Sequence, residues 1–89
     1  MINSKSDDVN KITGAQLRAA RALIRWSAKD LAKAAGIGVA TVSRAEVEDG
    51  VPYITNANLN AIRTALEAAG IEFISKNGGG VGVRFKKPV

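Results

Sequence analysis

Two short helical patterns between Ser27 and Val47 meet at a turn that holds Gly36 and Gly38, and this constrains the chain more tightly than any other feature. The first pattern carries Leu31, Ala32 and Ala35 behind Ser27, whose hydroxyl can accept from a free amide of the first helical turn. Asp30, three residues after Ser27, places negative charge where the helix dipole favours it. Gly36 can then adopt the left-handed backbone that closes a helix without a Cβ penalty. Ile37 and Gly38 complete a tight connection, and Val39 to Val47 reads as a second helix with Val42 pointing inward.

The flanks supply the rest of one small core. Thr13 and Gln16 fit a capping box, so a helix starts there. Leu17, Ala20, Leu23 and Ile24 follow as its buried stripe, with Arg18 and Arg25 projecting from flanking positions and the helix ending near Trp26. Asp49, Gly50 and Pro52 break the pattern, and Thr55 or Asn56 caps a helix carrying Leu59, Ile62, Ala65 and Leu66, which Gly70 stops. The period then changes. Ile71 to Ile74 is β-prone, Asn77 to Gly80 is a loop, and Val81, Val83 and Phe85 alternate with Gly82, Arg84 and Lys86, which predicts a terminal β-hairpin.

Eighty-nine residues hold one modest core, and an alanine-rich composition with four aromatic residues suits packed helices. The expectation is a mainly α fold: a compact four- to five-helix domain with a C-terminal β-hairpin. Residues 1–10 read as a flexible arm, 11–70 as the helical domain and 71–89 as the hairpin, a possible dimerisation element. No apolar run is long enough for a membrane span and the N-terminus lacks the pattern of a signal peptide, so a cytoplasmic protein is expected. Without cysteine or histidine, the chain offers no disulfide, no thiolate or imidazole metal ligand and no histidine base; neither an enzyme nor a cofactor is expected. Thirteen lysines and arginines outweigh eight acids, giving a net charge of +5, and two of the acids, Asp7 and Asp8, lie in the arm. Such a balance favours polyanions, above all nucleic acid.

The segment SAKDLAKAAGIGVATVSRAE, from Ser27 to Glu46, resembles the Cro and phage-repressor type of helix-turn-helix family, also called XRE-like. The matching features are Ser27, Leu31 and Ala32, Ala35 and Gly36, Ile37, and the run from Ala40 to Arg44. The resemblance extends from about Gln16 to Leu66. It implies a repressor-like helical domain whose third helix enters the major groove of double-stranded DNA, in a regulator that binds an inverted repeat as a homodimer. It also implies a structural ion pair between Arg21 and Glu46. The chain departs from the family at Ala28, which replaces a glutamine that often binds the DNA backbone.

A major groove ~12 Å wide admits one helix. Val39, Ala40, Thr41, Ser43 and Arg44 are the candidate base contacts. Arg44 suits a bidentate bond to guanine, the methyls of Val39 and Ala40 suit thymine methyls, and Thr41 and Ser43 can donate to phosphate or base. Arg18, Arg25, Ser27, Lys29 and Lys33 are the candidate phosphate contacts, and Arg63 is a further cation; each charged one is equally readable as a solvated helical residue. Trp26 reads as core or hinge packing, with base stacking as its alternative. Ile71, Phe73, Val81, Val83 and Phe85 either pack the hairpin on the helices or form a strand edge for a second subunit, and the fourth helix is the other candidate joint. A second function class stays open: a helix-turn-helix scaffold that binds a protein partner, as an antiactivator or antitoxin would.

Overall fold

Every helix but one begins at a side chain that stands in for a missing backbone partner. A computed structural model of the protein describes residues 11–89; the arm expected over residues 1–10 lies outside them. Helix α1, Gly14–Ile24, is preceded by Thr13, whose Oγ1 accepts from the Gln16 N–H at 3.1 Å while Gln16 Oε1 accepts from the Thr13 N–H at 2.9 Å. Helix α2, Ala28–Ala35, opens in the same way: Ser27 Oγ accepts from the Asp30 N–H at 3.0 Å and Asp30 Oδ2 accepts from the Ser27 N–H at 2.9 Å. Helix α4, Asn56–Ala68, is capped by Thr55, which accepts from the Asn58 N–H at 3.1 Å. Helix α3, Val39–Val47, begins at Gly38 without a side-chain cap.

Only Gly36 to Gly38 separate α2 from α3. Gly36 has φ 71°, the left-handed region that favours glycine, and the Ile37 N–H donates back to Ala32 O at 3.0 Å. Ile37 packs on a core built from Leu17 and Ala20 of α1, Leu31 and Ala32 of α2, Val42 and Ala45 of α3, and Leu59, Ile62, Ala65 and Leu66 of α4, with Ile12 beside them. Each of the fully buried leucine, isoleucine and valine side chains contributes about 1.5–3 kcal/mol on leaving water. The alanines let the helices approach closely.

The last residues form two strands, β1, Ile71–Ile74, and β2, Gly82–Phe85. They pair antiparallel with Ile71 opposite Phe85, Glu72 opposite Arg84, Phe73 opposite Val83 and Ile74 opposite Gly82. Ile71, Phe73 and Val83 pack on the core, while Arg84 Nη2 and Glu72 Oε2 pair at 2.9 Å on the other side; the hydrogen bond to Glu72 raises the Arg84 pKa above its usual value. β2 lies along α1 and β1 along α4. Gln16 locks the hairpin down: its buried Nε2 donates to Ile74 O at 3.2 Å and to Gly82 O at 2.9 Å.

Helix α1 ends at Ile24, near Trp26 as expected, where Arg25 turns left-handed with φ 58°. Two expectations are corrected. Leu23 is 38% exposed; it sits roughly a quarter turn off the axis of the Leu17, Ala20 and Ile24 stripe. Ile71, assigned to a subunit joint, is only 1% exposed and belongs to the core of the protomer. The described residues hold four helices, and none is long and apolar enough to cross a membrane.

Candidate nucleic-acid interface

Helix α3 is held from inside by α1. Gly14, the first residue of α1, abuts the chain just after α3 so closely that a Cβ there would lie 1.9 Å from Glu48 O and 2.7 Å from Ala45 O. This approach lets the Gly14 N–H donate to Gly50 O at 2.8 Å and the Ala15 N–H to Asp49 O at 3.4 Å, so first-turn donors without helical partners are used to anchor α3. Arg18, one turn on, donates through Nη1 to Glu46 O at 2.6 Å and forms an ion pair through Nη2 with Asp49. Arg21 makes a bidentate contact with Glu46, Nε to Oε2 and Nη2 to Oε1, each at 2.7 Å. Its Nη1 also donates to Trp26 O at 2.8 Å, which fixes the corner before α2. The hydrogen bonds Arg21 donates to Glu46 raise the Arg21 pKa, against the desolvation of partial burial.

The opposite side of α3 is exposed. Val42, Ala45 and Glu46 face inward; Val39, Ala40, Ser43, Arg44 and Val47 are exposed, with Thr41 half-buried on the rim. Five candidate base contacts therefore share one helix, four of them on its open face. Arg44 touches only Thr41 Oγ1, from Nη2 at 3.4 Å. Ser27, Lys29 and Lys33 are exposed along α2, which packs on α3. Ser27 accepts through Oγ in the cap, and its hydroxyl also bonds the Asp30 carboxylate.

The arginines divide cleanly. Arg18, Arg21, Arg63 and Arg84 each pair with a carboxylate, and Arg63 also lies over the Phe73 ring at 5.8 Å. Arg25 and Arg44 have no carboxylate partner among the described residues. Arg18, expected as a phosphate contact, is instead engaged in holding the chain after α3.

Among the exposed apolar residues that the sequence did not single out, two lie in or near α3. Val47 is 73% exposed and Tyr53 is 97% exposed. For Val47 a signal existed, because a 3.6-residue period sets it between Ser43 and Ala40 on the side away from Val42. For Tyr53, in a segment of helix breakers, there was none. Tyr53 and Arg44 line an open groove of about 700 Å³, with Lys11, Thr55 and Asn58 as its other polar residues. Among the described residues no group of acidic side chains is placed to hold a metal ion. No protein-family model and no curated protein matches the chain.

Proposed function

We propose that the protein is a sequence-specific double-stranded DNA-binding regulator of transcription, built on a repressor-type helix-turn-helix and acting in the cytoplasm. Helix α3 enters the major groove. Arg44 reads a guanine, Val39 and Ala40 meet thymine methyls, Ser43 and Thr41 donate to base or phosphate, and Ser27, Lys29 and Lys33 bind the backbone. The observation that carries this reading is the asymmetry of α3: fixed by ion pairs on one side, bare on the other, with an uncommitted arginine on the bare side.

One α3 touches few base pairs, so two copies are expected on half-sites about one helical turn apart. Phe85, 37% exposed, and half-buried Val81 remain available at the hairpin for that association, and α4 is the alternative joint. Selection from randomised duplexes followed by footprinting tests the proposal. The expected result is an enriched inverted repeat whose two halves are protected, with an affinity that falls as salt rises by about −0.9 in log-log slope per phosphate neutralised. A flat salt response or no enriched duplex overturns it. The exposed apolar side chains Val39, Val47, Val51 and Tyr53 favour a second reading, a scaffold for a protein partner such as an antiactivator or antitoxin, which the failure to enrich any duplex would support.

A further inference from the structure

Asn77 is the only asparagine of the chain that a glycine follows. The pair lies in the loop between β1 and β2, where Ser75 to Gly80 are all exposed. Neither the Asn77 carboxamide nor the Gly78 N–H has a hydrogen bond among the described residues. Gly78 takes φ 83°, and a Cβ at Gly78, Gly79 or Gly80 would meet nothing within 4 Å. A carboxamide can be attacked by the amide nitrogen of the next residue when the backbone bends into a five-membered ring and no side chain shields that nitrogen. A following glycine meets both conditions, and an unbonded N–H leaves its nitrogen accessible.

The other candidates are protected. Asn56, Asn58 and Asn60 are followed by alanine or leucine and lie in α4, whose helical bonds, such as the Leu59 N–H to Thr55 O at 3.0 Å, hold the backbone. Asp49 also precedes a glycine, but an ionised carboxylate is a poorer electrophile than a carboxamide. Its side chain is engaged by Arg18, and Gly50 O is fixed by the Gly14 N–H at 2.8 Å.

We propose that Asn77 is a site of spontaneous covalent modification. The Gly78 nitrogen, giving up its proton to solvent base, bonds to Asn77 Cγ; the Cγ–Nδ2 bond breaks and ammonia leaves with a proton from solvent. Water then opens the cyclic imide, at Cγ to give aspartate or at the main-chain carbonyl to give isoaspartate. One water is consumed, one ammonia is released, and nothing is oxidised or reduced. Either product carries a carboxylate beside Lys76 and takes one unit from the net charge of +5. Isoaspartate also lengthens the main-chain path through the loop. Closure cost grows only slowly with loop length, and Gln16 holds both ends of the loop at Ile74 O and Gly82 O. The modification therefore changes the charge of the hairpin and leaves the fold in place. It does not depend on what the protein binds.

The test incubates the full chain at mildly acidic and mildly alkaline pH, separates the species by cation exchange and maps them by mass after cleavage at Glu72. The expected result is a less retained species that grows in proportion to hydroxide and carries its mass change at Asn77, partly as isoaspartate. It should be lost in Asn77→Gln, whose larger ring closes far more slowly, and the melting temperature should not move as it accumulates. Its persistence in Asn77→Gln, or conversion first at Asn56, Asn58 or Asn60, would overturn the assignment. So would an intact Asn77 under conditions that convert a synthetic peptide of residues 73–81, because the fold would then shield the site. A melting temperature that falls as the species grows would overturn the reading of it as a change of charge alone.

Discussion

The two sides of α3 use the same residue type in opposite ways. On the inner side, Arg18 and Arg21 of α1 are engaged: each pairs with a carboxylate and donates to a backbone carbonyl, and Gly14 brings α1 into backbone contact with the end of α3. On the outer side, Arg44 stands among valine, alanine and serine with only a long contact to Thr41. A saturated cation has little left to offer a ligand, whereas an unsatisfied exposed one contributes little to folding. The division of labour follows: the inner side sets where α3 sits, and the outer side is available to meet another molecule.

Substitutions can break that contrast, and the largest effect is expected at Gly14. Gly14→Ala puts a methyl into the Glu48 and Ala45 carbonyls and should cost about 4 kcal/mol or more, read by chemical denaturation. A normal denaturation midpoint would mean that the junction yields easily. Next comes Glu46→Ala, which strands the partly buried Arg21 and should cost about 3 kcal/mol. If Arg21→Ala combined with Glu46→Ala is no better than Glu46→Ala alone, the stranded charge is not the cause.

On the outer side the effect should move from stability to binding. Arg44→Ala is expected to leave the denaturation midpoint unchanged, to lower affinity for the selected duplex by about 1–3 kcal/mol and to relax preference at one base pair. Equal loss on all sequences would reassign Arg44 from base reading to backbone anchoring. The smallest effect sharpens the boundary between the two sides: Ser27→Ala removes the α2 cap at about 1 kcal/mol. Its partner gives this site a pH signature. Bonds from the Ser27 backbone N–H, and then from its hydroxyl, hold the Asp30 carboxyl below its usual range. A depressed folded pKa stabilises above the unfolded value of about 3.9 and ceases to do so as pH falls through the folded value. The gap in melting temperature between wild type and Asp30→Ala should thus be constant above about pH 5 and close below it. A gap independent of pH would detach Asp30 from the cap.

What could be read from the chain, and what could not, follows the reach of each interaction. Thr13 with Gln16, Ser27 with Asp30, and Gly36 are local signals, and they mark the helix ends that the structure contains. The end of α1 was legible only to within a residue or two, because arginine is an ordinary helix former and carries no stop signal for the left-handed turn at Arg25. The role of Gly14 was invisible for a different reason: its neighbour Glu48 is far along the chain, and no spacing rule connects them. Arg18 was misread on the same grounds, since a helical period shows that it projects but not that Asp49 will meet it. The open face of α3 was legible at Val39, Ala40, Ser43 and Arg44, whereas Tyr53 depends on the path of a loop.

Gln16 carries a consequence for how the molecule comes together. Its amide reaches carbonyls 58 and 66 residues away, while the contacts between α2 and α3 span a short stretch of chain. Closing so long a loop is entropically slow, so the helices should assemble first and the docking of β2 against α1 should follow the rate-limiting step. Gln16→Ala would then hasten unfolding and leave the folding rate nearly as it was, which a stopped-flow chevron would read directly. The hairpin on this view is a latch: it sets how long the assembled molecule lasts, not how quickly it forms.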